Sequence, residues 1–185
     1  MSAGALIRST WLLYFSQPAG DRALYKAVKG RAVRSVLEFG VADGQRTKNL
    51  FEVLGWEKNN LPLRYTGIDL FEARPAGKKG LTLKQAFATI RAPEVKVQLV
   101  PGLPYDALLR CSNSLQETDL IVIAADQQPA DFEKAWKFIA RTVHEKTLIL
   151  REQPAAGGKT IFQTLPVAEV HRLARESGKG TRRAA

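Results

Sequence analysis

The chain has 185 residues, of which 45% are hydrophobic, and it carries a formal net charge of +10. This length and composition predict one globular domain with a hydrophobic core. The single cysteine, Cys111, excludes an internal disulfide and a multi-cysteine zinc cluster, so we expect a reducing, cytoplasmic location. No apolar run approaches the roughly 18 residues that a membrane span requires, and we therefore predict no membrane segment.

Residues 1–32 predict two helices that cover one end of a sheet. Apolar side chains recur with helical spacing between residues 5 and 16. A second short helix would take Asp21 as its N-cap and would end at Gly30. The aromatic residues of the first helix are expected to pack in the core rather than to form the wall of a substrate pocket: Trp11, Tyr14 and Phe15.

The segment VLEFGVADG, residues 36–44, is the most informative part of the chain. It predicts a buried strand over residues 33–39, an acid at its end in Glu38, a tight turn through Gly40 and Ala42, and a helix that begins near Gly44. Glycine lets a ligand approach the backbone, and a helix N-terminus presents free N–H groups. The same residues also fit a tight strand-to-helix turn that binds nothing.

An acid two residues before the first glycine distinguishes this segment from the dinucleotide fingerprint G-x-G-x-x-G. The negative charge disfavours a pyrophosphate and suits a cationic or amine-bearing ligand. The next predicted strand, residues 64–69, ends in Asp69, which follows Gly44 by 25 residues. Nucleotide-binding α/β folds place an acid at a similar spacing, where it accepts hydrogen bonds from ribose hydroxyls.

The remaining elements continue the alternation of strand and helix. The predicted strands are residues 95–100, 119–126, 147–151 and 160–165, and the predicted helices are residues 83–90, 105–111, 132–143 and 167–174. This order predicts a doubly wound, mainly parallel α/β sheet over residues 33–176, with helices on both faces. A basic tail, residues 177–185, is expected to fray. Ligands of such sheets bind beyond the carboxyl ends of the strands.

Three segments together resemble the class I S-adenosylmethionine (SAM) methyltransferases, whose fold is Rossmann-like. Glu38-x-Gly40-x-Ala42-x-Gly44 is similar to their motif I, [E/D]-x-G-x-G-x-G, and residues 65–71 are similar to their second motif. DLIVIAADQ, residues 119–127, resembles the DLIFIDGDH motif of the branch related to catechol and macrocin O-methyltransferases. The resemblance covers residues 33–151.

This resemblance implies SAM as the cofactor. Glu38 would anchor the methionine end of SAM, directly or through water, and Asp69 would accept the ribose hydroxyls. The region around Gly102 and Leu103 would offer adenine an apolar contact. The residues implied to bind SAM are Glu38, Gly40, Val41, Ala42, Gly44, Asp69, Leu70 and Gly102.

The resemblance also identifies where this chain departs from the metal-dependent members. Ala124 stands in place of their first aspartate and Gln127 in place of their histidine, so we predict no catalytic metal. Asp126 is the first candidate for a catalytic base and Glu152 is the second. Asp126 could instead cap the following turn or helix, and Glu152 could simply be exposed. The two histidines are predicted in a loop and on the last helix, with no identifiable partner: His144 and His171.

The resulting prediction is a metal-independent SAM-dependent methyltransferase that acts on a small-molecule acceptor, at oxygen. An RNA methyltransferase is an alternative, because basic residues cluster at residues 22–34 and 172–183, although no Asn-Pro-Pro-Tyr motif accompanies them. A non-catalytic methyltransferase-like domain is a third possibility, because the region after the fifth strand is short. An incomplete sheet edge there would also suit a homodimer.

Overall fold

The computed structural model describes residues 3–55, 62–75, 77, 78 and 80–180, and the side chains within 7–177 of those ranges. The strands are β1 (Ser35–Phe39), β2 (Leu63–Asp69), β3 (Val95–Pro101), β4 (Thr118–Ile123), β5 (Val143–Ala155) and β6 (Lys159–Thr164). The helices are α1 (Ala3–Phe15), α2 (Asp21–Val28), α3 (Gln45–Leu54), α4 (Leu83–Ile90), α5 (Pro104–Cys111), α6 (Pro129–Phe132), α7 (Trp136–Thr142) and α8 (Val167–Gly180). Within these described residues, no helix has the length and apolar character needed to span a membrane.

The six strands form one sheet in the order β3-β2-β1-β4-β5-β6. Strands β1 to β5 pair in parallel, and only β6 runs antiparallel, against β5. The predicted doubly wound, mainly parallel α/β fold is therefore confirmed. Because β1 lies between β2 and β4, the chain order reverses at β1, and the crevice for a ligand of such a sheet lies beyond the carboxyl end of this strand.

The C-terminal region differs from the predicted alternation. No helix separates β5 from β6; instead, a 3-10 turn over Ala156–Gly158 joins them as a hairpin. Gly157 and Gly158 both have positive φ, 72° and 68°, and this lets the chain reverse within three residues. Strand β5 is also longer than predicted, and α8 continues through Gly180 where a frayed tail was expected. Residues 181–185 of that tail lie outside the described residues.

Two hydrophobic layers enclose the sheet. Helices α1, α2 and α3 pack on one face, where Leu24 and Leu50 meet Val36 of β1. Helices α5 to α8 pack on the other face, where Phe132 packs edge-on against Phe39 with 5.1 Å between ring centroids. Every side chain of β1 is buried, as a central parallel strand covered on both faces requires.

The predicted packing of the N-terminal aromatics is wrong. Trp11, Tyr14 and Phe15 are 51%, 53% and 64% exposed, and the residues of α1 that enter the core are Leu12 and Leu13. Helix α1 packs against α2 and α3, so Leu12 and Leu13 are covered while the other large apolar side chains described on this helix, including Ile7, remain exposed.

Helix α2 begins at its predicted cap, Asp21, and therefore one residue earlier than expected. Gly20 is the N-cap, and Asp21 is the first helical residue. The backbone of Gly20 lies so close to β6 that an added Cβ would come within 2.5 Å of the Thr160 hydroxyl oxygen. This close approach places the start of α2 over the β5–β6 side of the sheet. Residues 57–61, where the sequence predicts a loop between α3 and β2, lie outside the described residues.

Candidate functional site

The turn between β1 and α3 is built on left-handed backbone conformations. Gly40, Ala42 and Gly44 have φ values of 89°, 53° and 73°. Ala42 therefore takes a conformation that usually costs a non-glycine residue about 1–2 kcal/mol. The site thus keeps the backbone shape of a three-glycine turn although the middle glycine is replaced.

Gly40 also lets β1 and the segment after β4 approach each other. A Cβ at this position would lie 2.7 Å from the Ala124 Cβ and 3.1 Å from a carboxylate oxygen of Asp126. The Gly40 amide donates to the Ile68 carbonyl of β2, at 2.9 Å. The first residue of the turn consequently connects three strand ends.

Asp69 fastens the end of β2 to this turn. Its Oδ2 accepts from the backbone amides of Val41, at 2.7 Å, and Ala42, at 2.9 Å, and its Oδ1 accepts from the amide of Leu70 at 2.6 Å. Arg74 donates to the same Oδ2 at 2.5 Å. The carboxylate is 7% exposed, so a ligand that reaches it must replace Arg74 or bind beside that side chain.

Glu38 is fully buried within β1, where other side chains surround its carboxylate, and does not lie at the exposed end of the strand. Its Oε2 accepts from the hydroxyls of Thr47, at 2.6 Å, and Tyr65, at 2.7 Å, and its Oε1 accepts from Arg46 at 2.9 Å. Burial, followed by the neighbouring Glu38 carboxylate, raises the pKa of Tyr65 well above its usual range. Tyr65 therefore stays a neutral donor to Glu38.

Arg46, in the first turn of α3, links the acids at the strand ends. Its guanidinium donates to Glu38 at 2.9 Å, to Glu152 at 3.0 Å and to the Gly40 carbonyl at 2.8 Å. Burial disfavours the charged form, but the nearby carboxylates of Glu38, Asp21 and Glu152 outweigh it and raise the pKa of Arg46. The guanidinium is thus a permanent positive charge at the crevice.

The two candidate catalytic acids have different surroundings. Asp126 is exposed in the turn after β4, and its carboxylate accepts a hydrogen bond from the side-chain amide of Gln127 at 3.0 Å. Glu152 is only 10% exposed, so the interpretation as a simply exposed residue is wrong. Its Oε2 accepts from Arg46 and also from the Ala125 amide, at 3.1 Å. The structure therefore brings both acids to the same strand ends as Glu38.

Helix α2 adds two residues to this region that the sequence did not identify as site residues. Asp21 and Tyr25 are buried. Burial raises the pKa of Asp21 to about 6, with the Arg46 guanidinium opposing the increase and Glu152 and Glu38 adding to it. These electrostatic couplings place Asp21 near the ion pairs of Arg46.

The region expected to contact adenine combines apolar residues with one cation, because a Cβ at Gly102 would lie 3.2 Å from a guanidinium nitrogen of Arg110. Gly102 has a φ of 131°, and its amide donates to the Asp69 carbonyl at 2.9 Å. Leu103 is 39% exposed, and Leu70 is half-buried at the end of β2. Phe71 packs with Val41 in a small separate cluster beneath this surface.

Other candidate groups lie elsewhere in the molecule. His144 falls at the start of β5 rather than in a loop, and its Nε2 lies 3.1 Å from a carboxylate oxygen of Asp119, at the amino ends of β4 and β5. Across the described residues, no group of three or more His, Cys, Asp or Glu side chains is arranged to hold a metal ion. Cys111 is buried, and burial raises the pKa of its thiol, which makes it a poor nucleophile.

Missing from the sequence interpretation were Arg46 and Asp21. One signal for Arg46 was available, because a cation in the first turn of a helix faces the positive end of the helix dipole and needs a compensating acid. Nothing in the sequence brings Asp21 to the strand ends, since that placement depends on how α2 crosses the sheet.

Comparison with solved structures identifies the fold. The structure aligns with an O-methyltransferase from Bacillus cereus in complex with S-adenosylhomocysteine (SAH), with a TM-score of 0.55 and 16% identity over 93% of this chain and 76% of that chain. It also aligns with the O-methyltransferase TomG of Streptomyces achromogenes, involved in tomaymycin synthesis and solved with SAM (TM-score 0.52, 15% identity, 95% and 78%). A TehB-like SAM-dependent methyltransferase from Corynebacterium glutamicum gives a TM-score of 0.50 at 17% identity, over 94% and 80%.

No protein-family profile and no curated protein sequence matches this chain. At the low identities of the structural matches, the likeness establishes the class I methyltransferase fold and no more. The function must therefore be argued from the residues at the strand ends.

Proposed function

We propose that this protein is a SAM-dependent methyltransferase that transfers a methyl group to an oxygen atom of a small-molecule acceptor. One observation carries the proposal: on a class I methyltransferase fold, the Asp69 carboxylate is held against the left-handed turn Gly40–Gly44 at the point where the strand order reverses. This is the place where an open α/β sheet binds its ligand.

The residues at this place fit SAM. Gly40, Ala42 and Gly44 carry at most a methyl group, so the methionine and ribose portions can lie close to the backbone. Asp69 offers carboxylate oxygens to the ribose hydroxyls once Arg74 moves away. Leu70 and Leu103 offer apolar contacts to adenine beside Gly102. Two of the structurally similar methyltransferases were solved with SAM or SAH.

Glu38 acts on the methionine end indirectly in this proposal. The residue is fully buried, and three side chains of the protein already donate to its carboxylate. The least buried side chain of the network is Arg46, at 13% exposure, and its guanidinium has five N–H donors, of which three are used in the bonds described above. Glu38 therefore orients Arg46, and Arg46 faces the ligand.

When bound, SAM supplies an electrophilic methyl group on a positively charged sulfur. The protein must position the acceptor and take its proton. Asp126 is the carboxylate suited to take that proton, because it is exposed and adjoins Gly40. Glu152 is held by Arg46 and by the Ala125 amide, so it positions the segment that carries Asp126.

A metal is not required by this proposal. The positions that would complete a metal site beside Asp126 hold Ala124 and Gln127, which supply neither a carboxylate nor an imidazole. A hydroxyl acceptor would instead rely on Asp126 for deprotonation.

Calorimetric titration of SAM and SAH into the purified protein tests the cofactor site. We expect saturable binding that Asp69→Asn weakens by roughly 10- to 100-fold, because a hydrogen bond to a charged group contributes about 1.5–3 kcal/mol. Asparagine keeps an acceptor for the Val41 amide, so the turn itself should persist. Asp106→Asn, an exposed acid on α5, is the matched control and should bind like the wild type.

Failure of the folded wild type to bind SAM or SAH would refute the proposal. Binding without methyl transfer to a broad panel of acceptors would instead favour the non-catalytic alternative. A homodimer through the β6 edge stays a prediction, to be checked by analytical ultracentrifugation.

The RNA alternative is weakened by the arrangement of the basic residues. In the late cluster, Arg172 pairs with Glu169 and Glu176 on α8. In the early cluster, Arg22 donates to the Ser16 carbonyl, and the Lys26 ammonium lies 4.8 Å from the centroid of the Tyr14 ring. Lys137, His171 and Arg175 still line a groove between α7 and α8. Affinity for RNA that falls steeply with salt would revive this alternative.

A further inference from the structure

Two polar side chains of α2 are buried beside the Arg46 network without a hydrogen bond. Asp21 is 3% exposed and Tyr25 is 0% exposed. Among the residues that the structure describes, neither Asp21 Oδ1 nor the Tyr25 hydroxyl has a hydrogen-bond partner. The Tyr25 hydroxyl adjoins the Asp21 carboxyl and lowers its pKa against the larger effect of burial, but it does not meet the distance and angle of a hydrogen bond to Oδ1. Buried polar groups of this kind need a partner from outside the chain.

The charges around Asp21 indicate what that partner is. Three elements present a charged group to Asp21: Arg46 from α3, Glu152 from β5 and Glu38 from β1. The Tyr25 hydroxyl faces it from α2 itself, and Asn49 of α3 lies near that hydroxyl. With Asp21 ionised, three carboxylates surround one guanidinium, and Arg46 already donates to Glu38, Glu152 and Gly40.

The excess of negative charge therefore favours a cation, and the vacant acceptors favour a donor. A protonated amine is both, since it carries one positive charge and three N–H donors and has no acceptor of its own. A hydroxyl or a water molecule would satisfy the oxygens but would leave the charge uncompensated.

We propose that Asp21 Oδ1 and the Tyr25 hydroxyl form a subsite for the ammonium group of a ligand bound at the carboxyl ends of β1, β4 and β5. This subsite rests on the proposed function, because the ligand is either the cofactor, through the ammonium of its methionine end, or an amine-bearing acceptor. The subsite makes α2 a specificity element of the site in addition to a cover for the sheet.

Proton release on binding is the direct readout. Burial places the pKa of Asp21 near 6, so about half of the molecules carry the proton at pH 6. An ammonium group beside the carboxylate lowers that pKa and expels the proton. Calorimetry with SAH at pH 6, in cacodylate and in Bis-Tris, should therefore show a buffer-dependent heat that corresponds to release of roughly half a proton.

Variants distinguish proton release from Asp21 from a change in folding. Asp21→Asn should abolish the proton release and weaken SAH about tenfold, whereas the matched control Asp106→Asn should behave like the wild type. Tyr25→Phe should weaken binding less and keep the proton release, because the titrating carboxylate remains. Circular dichroism melts establish that each variant is folded.

Two further titrations identify the source of the ammonium. 5′-Methylthioadenosine lacks the amino-acid end of SAH. Proton release with SAH, and no proton release with this nucleoside, would therefore assign the subsite to the cofactor. Release only when phenethylamine is added to the SAH-saturated protein assigns it to the acceptor.

The outcomes also separate this inference from the proposal on which it rests. SAH that binds the wild type, with no Asp21-dependent proton release in any of the titrations, would overturn the subsite alone. A folded wild type that binds neither SAH nor the nucleoside would overturn the proposed function, and the subsite with it.

Discussion

Replacing Arg46 by methionine tests the charge network at the strand ends most severely. Methionine keeps an unbranched apolar stem but removes the guanidinium that donates to Glu38, Glu152 and the Gly40 carbonyl. Glu38 would remain ionised in a fully buried position, with only the hydroxyls of Thr47 and Tyr65 as donors. We therefore expect a large loss of stability as well as a loss of cofactor binding.

The size of the expected stability loss follows from the burial of the ion pair between Glu38 and Arg46. Glu38 is 0% exposed and the Arg46 side chain is 13% exposed, so this ion pair belongs to the buried class. Removal of one partner from such a pair costs about 3–5 kcal/mol, because the remaining charge is left uncompensated. For a domain of this size, each kcal/mol lowers Tm by about 2–4 °C, so the expected decrease is roughly 6–20 °C.

Urea unfolding measures the free energy of unfolding, and differential scanning calorimetry measures Tm. Adding Glu38→Gln to Arg46→Met should recover part of the lost stability, because the double variant no longer buries the unpaired charge of Glu38. Arg172→Met is the matched control, since Arg172 pairs with two acids on the surface of α8 and its loss should hardly change Tm. A cost of less than about 1 kcal/mol for Arg46→Met, or no recovery on adding Glu38→Gln, would show that Arg46 does not compensate a buried charge on Glu38.

Two further predictions concern Asp21 and Arg74. The pKa of Asp21 is raised from 3.8 to about 6, so the native state holds this proton more tightly than the unfolded chain, and the stabilising effect present below pH 3.8 is lost as the pH rises through 6. Urea unfolding at pH 4 to 7 should show the wild type losing up to about 3 kcal/mol relative to Asp21→Asn; a constant difference would contradict this. Arg74→Gln should strengthen SAH binding about threefold to tenfold in calorimetry, because Asp69 loses a competing partner. Lys78→Gln, an exposed neighbour, is its control, and weaker binding of SAH by Arg74→Gln would instead indicate that Arg74 contacts the ligand.

Local patterns in the sequence predicted the part of the site that consists of backbone. A strand followed by an acid and small residues indicated the turn Gly40–Gly44, and a second strand ending in Asp69 indicated the carboxylate that now lies against that turn. Both patterns survive the replacement of a glycine by Ala42, because the turn imposes the left-handed conformation on whichever residue stands there. The binding roles assigned to these residues stay predictions.

The charge network was not predictable in the same way. Glu38 was expected to face a ligand, yet Arg46, Thr47 and Tyr65 surround it in the folded chain. Which donor reaches a carboxylate depends on side-chain directions across β1, β2 and α3, and these directions are not encoded in the spacing along one segment.

The sequence by itself determined a doubly wound, mainly parallel sheet and the end of the strands at which its ligand crevice lies, because alternating strands and helices allow few topologies. Only the tertiary structure decided the neighbours of the buried charges. The hairpin between β5 and β6 and the crossing of α2 bring Glu152 and Asp21 to Arg46, over separations of 106 and 25 residues. Such pairings arise from packing between distant segments, and packing is a property of the whole fold.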